Sequence, residues 1–264
     1  MTDDVMGAVE EVARLAGDIA VSYFRGSLAV DIKGDGSPVT VADREAERAA
    51  RGWIEAHFPA DGIVGEEFGI VRGDARRRWL LDPVDGTKTF IRGVPLWGTL
   101  VAVAEGETIL AGAAYFPVLG ECVVASAGRG CWWNGSRCHV SPISKVAAAT
   151  VLTTDERFRD RAPGRLEGWQ RLAERAEVSR SWGDCYGYLL VATGRAEVMV
   201  DPKLSAWDSA VLLPIIEEAG GVFTDWAGER TAFGGSAIAT NAALAAEARA
   251  LLLGADGGRS ASDG

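Results

Sequence analysis

The run Trp79-Leu80-Leu81-Asp82-Pro83-Val84-Asp85-Gly86-Thr87 constrains this chain more than any other. It opens as an apolar strand and stops abruptly in acids. In an extended strand Asp82 and Asp85 would point to opposite faces. Pro83 and Gly86 predict that the chain turns instead, which brings both carboxylates to one point and exposes the Val84 carbonyl. Two carboxylates and a carbonyl are hard oxygen ligands, suited to Mg²⁺ or Mn²⁺ and not to a soft-ligand zinc site. Thr87 opens the segment KTFIRG, which reads as a short helix. Free N–H groups at a helix start bind phosphate without any basic side chain. The competing reading is an acidic turn that caps a helix, which is common for a bare DxxD pattern.

Two further acidic positions bear on that choice. Gly65-Glu66-Glu67 follows the apolar pair Ile63-Val64, so a carboxylate sits at a strand end. Trp207-Asp208-Ser209-Ala210 begins a helix that reaches Glu218-Ala219-Gly220-Gly221. Each has a plain alternative: Asp208 as an N-cap only, Glu67 as a surface acid only. Pro214 lies mid-segment and argues against a straight helix.

The remaining pattern places these motifs. Apolar residues at helical spacing predict helices over 4–25 and 42–57. A short strand-like piece, LAVDIK, and the turn GDGSP lie between them. Strand-like segments follow at 98–105, 109–116 and 121–126. Near residue 140 the character changes to strand–helix alternation, with helices at 166–176, 184–194, 208–219 and 242–253 and strands at 178–181, 196–200 and 222–224. The expected organisation is an α+β half over 1–140, an α/β half over 141–254, and a frayed Gly/Ser/Asp-rich tail over 255–264.

Composition excludes several classes. A hydrophobic fraction of 48% and a charged fraction of 24% describe an ordinary folded chain. The net charge of -10 argues against a nucleic-acid binder, which needs a basic patch. No apolar run approaches the ~20 residues that span a bilayer. Cys122, Cys131, Cys138 and Cys185 form no CxxC pair, and the acidic, then amphipathic, start is unlike a secretory leader. Reduced, buried thiols in a cytoplasm are expected. His57 and His139 are the only histidines, and no GxSxG elbow supports a nucleophilic triad. His57 is read as the end of a helix.

In order and spacing, GEE, DPVDGT and WDSAVLLPIIEEAGG resemble the inositol monophosphatase family, part of the wider lithium-sensitive, Mg²⁺-dependent phosphatase superfamily. The similarity covers about residues 5–253. In the core motif the one departure is Val84, where Ile is usual; a backbone carbonyl is the ligand there, so the change is neutral. The resemblance implies a mixed α/β fold, the five-layer αβαβα sandwich of the sugar-phosphatase type. It implies a homodimer acting on a small phosphorylated substrate, with two to three Mg²⁺ ions and Mn²⁺ as a substitute. Carried over by residue, Glu66, Asp82 and the Val84 carbonyl hold one ion, and Asp82, Asp85 and Asp208 the second. A weaker third ion lies near Glu66, with Asp43 behind its waters. Asp43 and Thr87 orient the attacking water, and the Gly86 and Thr87 amides bind phosphate. Two bound ions stabilise the entering and leaving oxygens of an in-line displacement.

Within that family, DPVDGTKTFIRGVPLWGTLVA, GRGCWWNG and SWGDCYGYLLVATGRAEVMVDP look like the histidinol-phosphate phosphatase branch. Lys88, Thr89 and Arg92 replace the usual inositol-phosphatase continuation. Histidinol phosphate carries an ammonium and an imidazole away from its phosphate. Asp184 and Asp201 are the acids expected to meet that cationic end. Their plain alternatives are an N-cap at Asp184 and a turn at Asp201-Pro202. Trp132 and Trp133 are read as stacking on a ring or as packing.

Overall fold

The computed structural model describes residues 5–158 and 164–254. The tail expected at 255–264 lies outside the described residues. The chain starts with α1 (Val5–Tyr23), the strands β1 (Val30–Ile32) and β2 (Pro38–Thr40), and α2 (Val41–His57). Then come β3 (Gly62–Gly65), β4 (Gly69–Val71), β5 (Arg77–Asp85) and the short α3 (Thr87–Phe90). An antiparallel series follows: β6 (Gly98–Glu105), β7 (Thr108–Phe116), β8 (Glu121–Ser126), β9 (Gly130–Trp133) and β10 (Ser136–Arg137). The rest alternates: β11 (Thr150–Thr153), α4 (Arg165–Arg175), β12 (Val178–Arg180), α5 (Asp184–Ala192), β13 (Val198–Asp201) and α6 (Ala206–Glu218). It closes with β14 (Gly221–Thr224), β15 (Ala237–Asn241) and α7 (Ala245–Leu253).

Two sheets result. The larger has the order β10-β9-β8-β7-β6-β5-β3-β4, antiparallel except where β3 lies parallel to β5. The smaller has the order β12-β11-β13-β15-β14. Alternation along the strands sorts their side chains into layers. On β5 and β6, Trp79, Leu81, Val101 and Val103 face α1 and α2, while Leu80, Leu100, Ala102 and Ala104 face the opposite way. On the smaller sheet, Leu152, Met199 and Ala239 join that same inner core. Val151, Val198, Val200 and Ile238 face α4 and α7 instead. α5 and α6 fill the space between the sheets, which completes five layers, αβαβα.

Position in this stack explains the helices. α1 buries Ala8, Val9, Val12, Ala13, Ala16 and Ala20, a single stripe at helical spacing. α6 is buried all round because a sheet lies on each side of it. Pro214 argues against a straight helix by sequence, and the helix continues through it from Ala206 to Glu218. Pro214 is buried against β7 at Gly112, where a side chain would meet its ring carbon at 3.2 Å, so packing offsets the lost hydrogen bond. Among the described residues no helix is long and apolar enough to cross a membrane.

Candidate active site

The end of β5 is where the layers open. Asp82 pairs with Leu100 of β6, but Asp85 pairs with Gly98, so the register slips by one residue between them. The turn expected at Pro83–Gly86 is therefore a bulge inside the strand. Its cause is local: Pro83 has no N–H for the ladder, and its carbonyl accepts from the Thr99 hydroxyl at 2.8 Å instead. The extra residue turns Asp85 to the side of Asp82, and the Val84 N–H donates to Asp82 Oδ1 at 2.9 Å. Gly86 then takes a left-handed φ of 90° and starts α3.

α6 brings in the third acid. Its N-cap is Ser205 and not Asp208, which sits at N3 of a capping box. The Ser205 N–H donates to Asp208 Oδ2 at 3.2 Å. Oδ1 is buried and has no hydrogen-bond partner. One carboxylate oxygen each from Asp82, Asp85 and Asp208 lie within 4.8 Å of one another. The N–H of Cys185, in the first turn of α5, donates to Asp85 at 2.6 Å.

Burial of like charges has a price in ionisation. The Asp82 carboxyl is pushed well above the usual range, first by burial and then by Glu66, Asp208 and Asp85. Burial, Asp208 and Asp184 do the same to Asp85. Asp208 is pushed up to about 7, chiefly by burial. An unsatisfied buried oxygen and three converging carboxylates fit a hard divalent cation. Metal charge would reverse each of these shifts.

Glu66 lies beside this cluster. The Glu66 N–H donates to the Leu81 carbonyl at 3.2 Å, which extends the β3–β5 ladder and sets Glu66 next to Asp82. Its carboxylate accepts from Lys33 Nζ at 2.7 Å, and Glu67 accepts from the same ammonium at 2.6 Å. Burial pulls the Lys33 pKa down, and these bonds more than reverse it. Glu67 is no free surface acid; burial lifts it to about 7.

On the other flank, Asp43 caps α2, accepting from the Thr40 N–H at 2.9 Å and the Thr40 hydroxyl at 2.6 Å through Oδ2. Its Oδ1 faces the Thr87 hydroxyl at 3.3 Å, and that hydroxyl is also 3.1 Å from the Val84 carbonyl. Burial raises the Asp43 pKa.

A cavity of about 210 Å³ adjoins the cluster, lined by Asp85 and Asp208, by Asp184 and Asp201, and by Thr154 and Lys203. Asp184 is not an N-cap; Gly183 is, and Asp184 opens α5 with φ 50°. Its Oδ2 accepts from the Thr89 hydroxyl at 3.1 Å and crowds Gly86, where an added Cβ would lie 3.0 Å away. Asp201 is not in a turn but ends β13, buried, with one oxygen accepting from the Thr154 N–H at 3.3 Å and the other from the Tyr188 hydroxyl at 2.9 Å. Burial raises it to about 7. Trp132 and Trp133 pack in β9; Arg195 lies over the Trp133 ring at 4.8 Å.

Three supporting residues escaped the sequence reading: Lys33, Glu47 and Arg51. Glu47 is fully buried in α2 and accepts from the Glu67 and Phe68 N–H groups at 2.7 and 3.2 Å. Arg51 donates to Glu47 at 2.7 Å and to the Gly69 carbonyl at 2.5 Å, so the pair holds the whole GEE turn. The turn needs Gly65, because a Cβ there would lie 2.0 Å from the Glu47 carboxylate. A signal was present: Asp43 and Glu47 are four apart and both fall on the apolar stripe of α2 with Ala42, Ala46, Ala50 and Ile54. Charges on a buried stripe require partners.

The arrangement, carboxylates converging at the end of a sheet beside a polar cavity, is that of a metal-dependent hydrolase of the layered αβαβα class. The chain belongs to the inositol monophosphatase family, whose model matches residues 1–254. It is 44% identical over 239 residues to a histidinol-phosphatase of Chlorobaculum parvum, covering 90% of this chain and 92% of that one. It is 36% identical to a histidinol-phosphatase of Mycobacterium tuberculosis, covering 92% and 95%. An inositol monophosphatase from Zymomonas mobilis superposes with a TM-score of 0.84 at 33% identity, covering 95% of this chain and 98% of that one. The protein is a phosphoric monoester hydrolase.

Proposed function

We propose that this enzyme hydrolyses histidinol phosphate to histidinol and phosphate, with Mg²⁺ as its cofactor. The observation that carries the reading is the cavity in which Asp85 and Asp208 share a wall with Asp184 and Asp201. Asp85 and Asp208 offer hard donors for a cation and the phosphate it meets; Asp184 and Asp201 offer carboxylates to an ammonium and an imidazole. The two similar histidinol-phosphatases support the same substrate.

In this reading Glu66, Asp82 and the Val84 carbonyl would hold one ion, and Asp82, Asp85 and Asp208 the second. A third would lie near Glu66, with Asp43 behind it. Bound Mg²⁺ supplies charge to the phosphoryl oxygens and a water of lowered pKa. The Thr87 hydroxyl and Asp43 Oδ1 would orient that water. The Gly86 and Thr87 amides bind phosphate at the start of α3. The Lys33 ammonium, held by Glu66 and Glu67, adds positive charge beside the acids. A cytoplasmic homodimer serving histidine biosynthesis belongs to the same reading.

A second reading, an inositol-1-phosphatase or broad nucleotide and sugar phosphatase, draws on the similar Zymomonas mobilis enzyme. A steady-state panel of phosphate esters with Mg²⁺ separates the two. Histidinol phosphate is expected to exceed inositol 1-phosphate by more than about tenfold in kcat/KM, since losing a charge-assisted contact costs at least one such step. The reverse order would overturn the substrate assignment.

A further inference from the structure

Four buried cysteines are spread over this chain, and two of them meet. In the β9–β10 pair, Trp133 faces Ser136 and Trp132 faces Arg137. One step further in that register, Cys131 faces Cys138, and the Cys138 N–H donates to the Cys131 carbonyl at 3.1 Å. Their sulfur atoms are 3.4 Å apart. Residues directly opposed on antiparallel strands have Cα atoms about 4.5–5.5 Å apart, inside the span of about 4.4–6.8 Å that a disulfide needs. The backbone is already placed; side-chain rotation closes the remaining gap. Among the described residues Cys122 and Cys185 have no such sulfur contact.

The two thiols are not equivalent. Cys131 is fully buried and Cys138 is 8% exposed, so a reagent reaches Cys138 first. The Cys131 thiol stabilises a thiolate at Cys138, and the Arg137 and Arg195 guanidinium groups add to this, which lowers the Cys138 pKa. The hydrogen bond to Cys138, with burial, raises Cys131. A thiolate near positive charge with a second thiol in contact is the arrangement of a peroxide-responsive dithiol.

We propose that Cys131 and Cys138 form a reversible modification site, closing into a disulfide across the β9–β10 hairpin on exposure to a hydroperoxide. The Cys138 thiolate attacks one peroxide oxygen; an S–O bond forms, the O–O bond breaks, and the departing hydroxide takes a proton to leave as water. The Cys131 sulfur then attacks the Cys138 sulfenic acid. The S–S bond forms, the S–O bond breaks, and the released hydroxide takes the Cys131 proton as a second water. Two thiols are oxidised, and hydrogen peroxide is reduced to two waters. No large backbone movement accompanies closure, because the register already opposes the pair. A dithiol reductant returns the reduced state.

Arg137 makes the test direct, because trypsin cuts between the two cysteines. The native full chain is treated with a small excess of hydrogen peroxide, alkylated and digested without reduction. The expected product links peptide 130–137 to peptide 138–145, the intact mass falls by two hydrogens, and dithiothreitol reverses both. Cys131→Ser should stop at a Cys138 sulfenic acid that dimedone traps, and Cys138→Ser should give neither product in this hairpin. The proposal is overturned if wild-type Cys138 passes to sulfinic acid with no linked peptide, or if the link formed uses Cys122 or Cys185. It is equally overturned if both thiols stay alkylatable after peroxide.

Discussion

Two sets of buried acids behave differently in this molecule. Asp61, Glu47 and Glu197 are each satisfied. Asp61 accepts from Arg77 at 2.6 Å and from the Trp79 indole at 2.9 Å. Glu47 holds two backbone N–H groups and Arg51, and Glu197 accepts from the Thr150 N–H at 2.6 Å. Asp82, Asp85 and Asp208 instead face one another, and Asp208 Oδ1 has no donor at all. The first set ties strands and helices together. The second set stores an electrostatic cost that the fold does not relieve, which is the mark of a site built for something absent from the chain.

The contrast can be broken by substitution. The largest effect is expected in the unsatisfied set. Asp82→Asn should lower kcat by more than about 100-fold, beyond the usual cost of losing a residue that only supports a metal ligand. Its unfolding midpoint without metal should hold or rise, because like-charge repulsion falls. Near-normal turnover would contradict the role given to Asp82. The satisfied set should respond in stability. Glu47→Ala strands Arg51 and two backbone N–H groups, and chemical denaturation should show a loss of about 3 kcal/mol or more. A stability within error of wild type would show that Glu47 does not hold the turn.

A smaller effect separates the sets by pH. A carboxyl whose folded pKa lies above its unfolded value near 3.9 binds more protons when folded, so stability falls as pH rises between the two values. For Asp208, at about 7, that window runs from roughly pH 4 to pH 7. Asp82 and Asp85, also raised, act in the same direction. Urea titrations in EDTA should therefore show stability declining across this window, and saturating Mg²⁺ should flatten the decline. Glu67 and Asp201, both at about 7, contribute a part that the cation touches less. A flat profile in EDTA would remove the strain argument.

Much of the site was readable before the fold was known. Asp82, Asp85 and Asp208 come from motifs that carry their own local geometry: a proline that interrupts a ladder and a capping box that orients N3. Local chemistry is what a sequence displays. The strand β15 was not legible, because Ala237, Ala239 and Asn241 lack a β-former pattern; the strand exists by pairing with β13 and β14 on either side. Lys33 was invisible for the same reason. Its meaning comes from Glu66 and Glu67, 33 and 34 residues away, and only tertiary folding joins them. Asp201 was legible as an acid but not as an anchored one, since Tyr188 and Thr154 reach it from other elements.

The unsatisfied carboxylates at the end of β5 are proposed to bind a divalent cation. Calorimetric titration of Mg²⁺ into the metal-free protein, wild type against Asp208→Asn, tests it directly. Saturable binding to wild type and at least about tenfold weaker binding to the variant are expected, with both proteins folded by circular dichroism. Equal binding to the two proteins would contradict it.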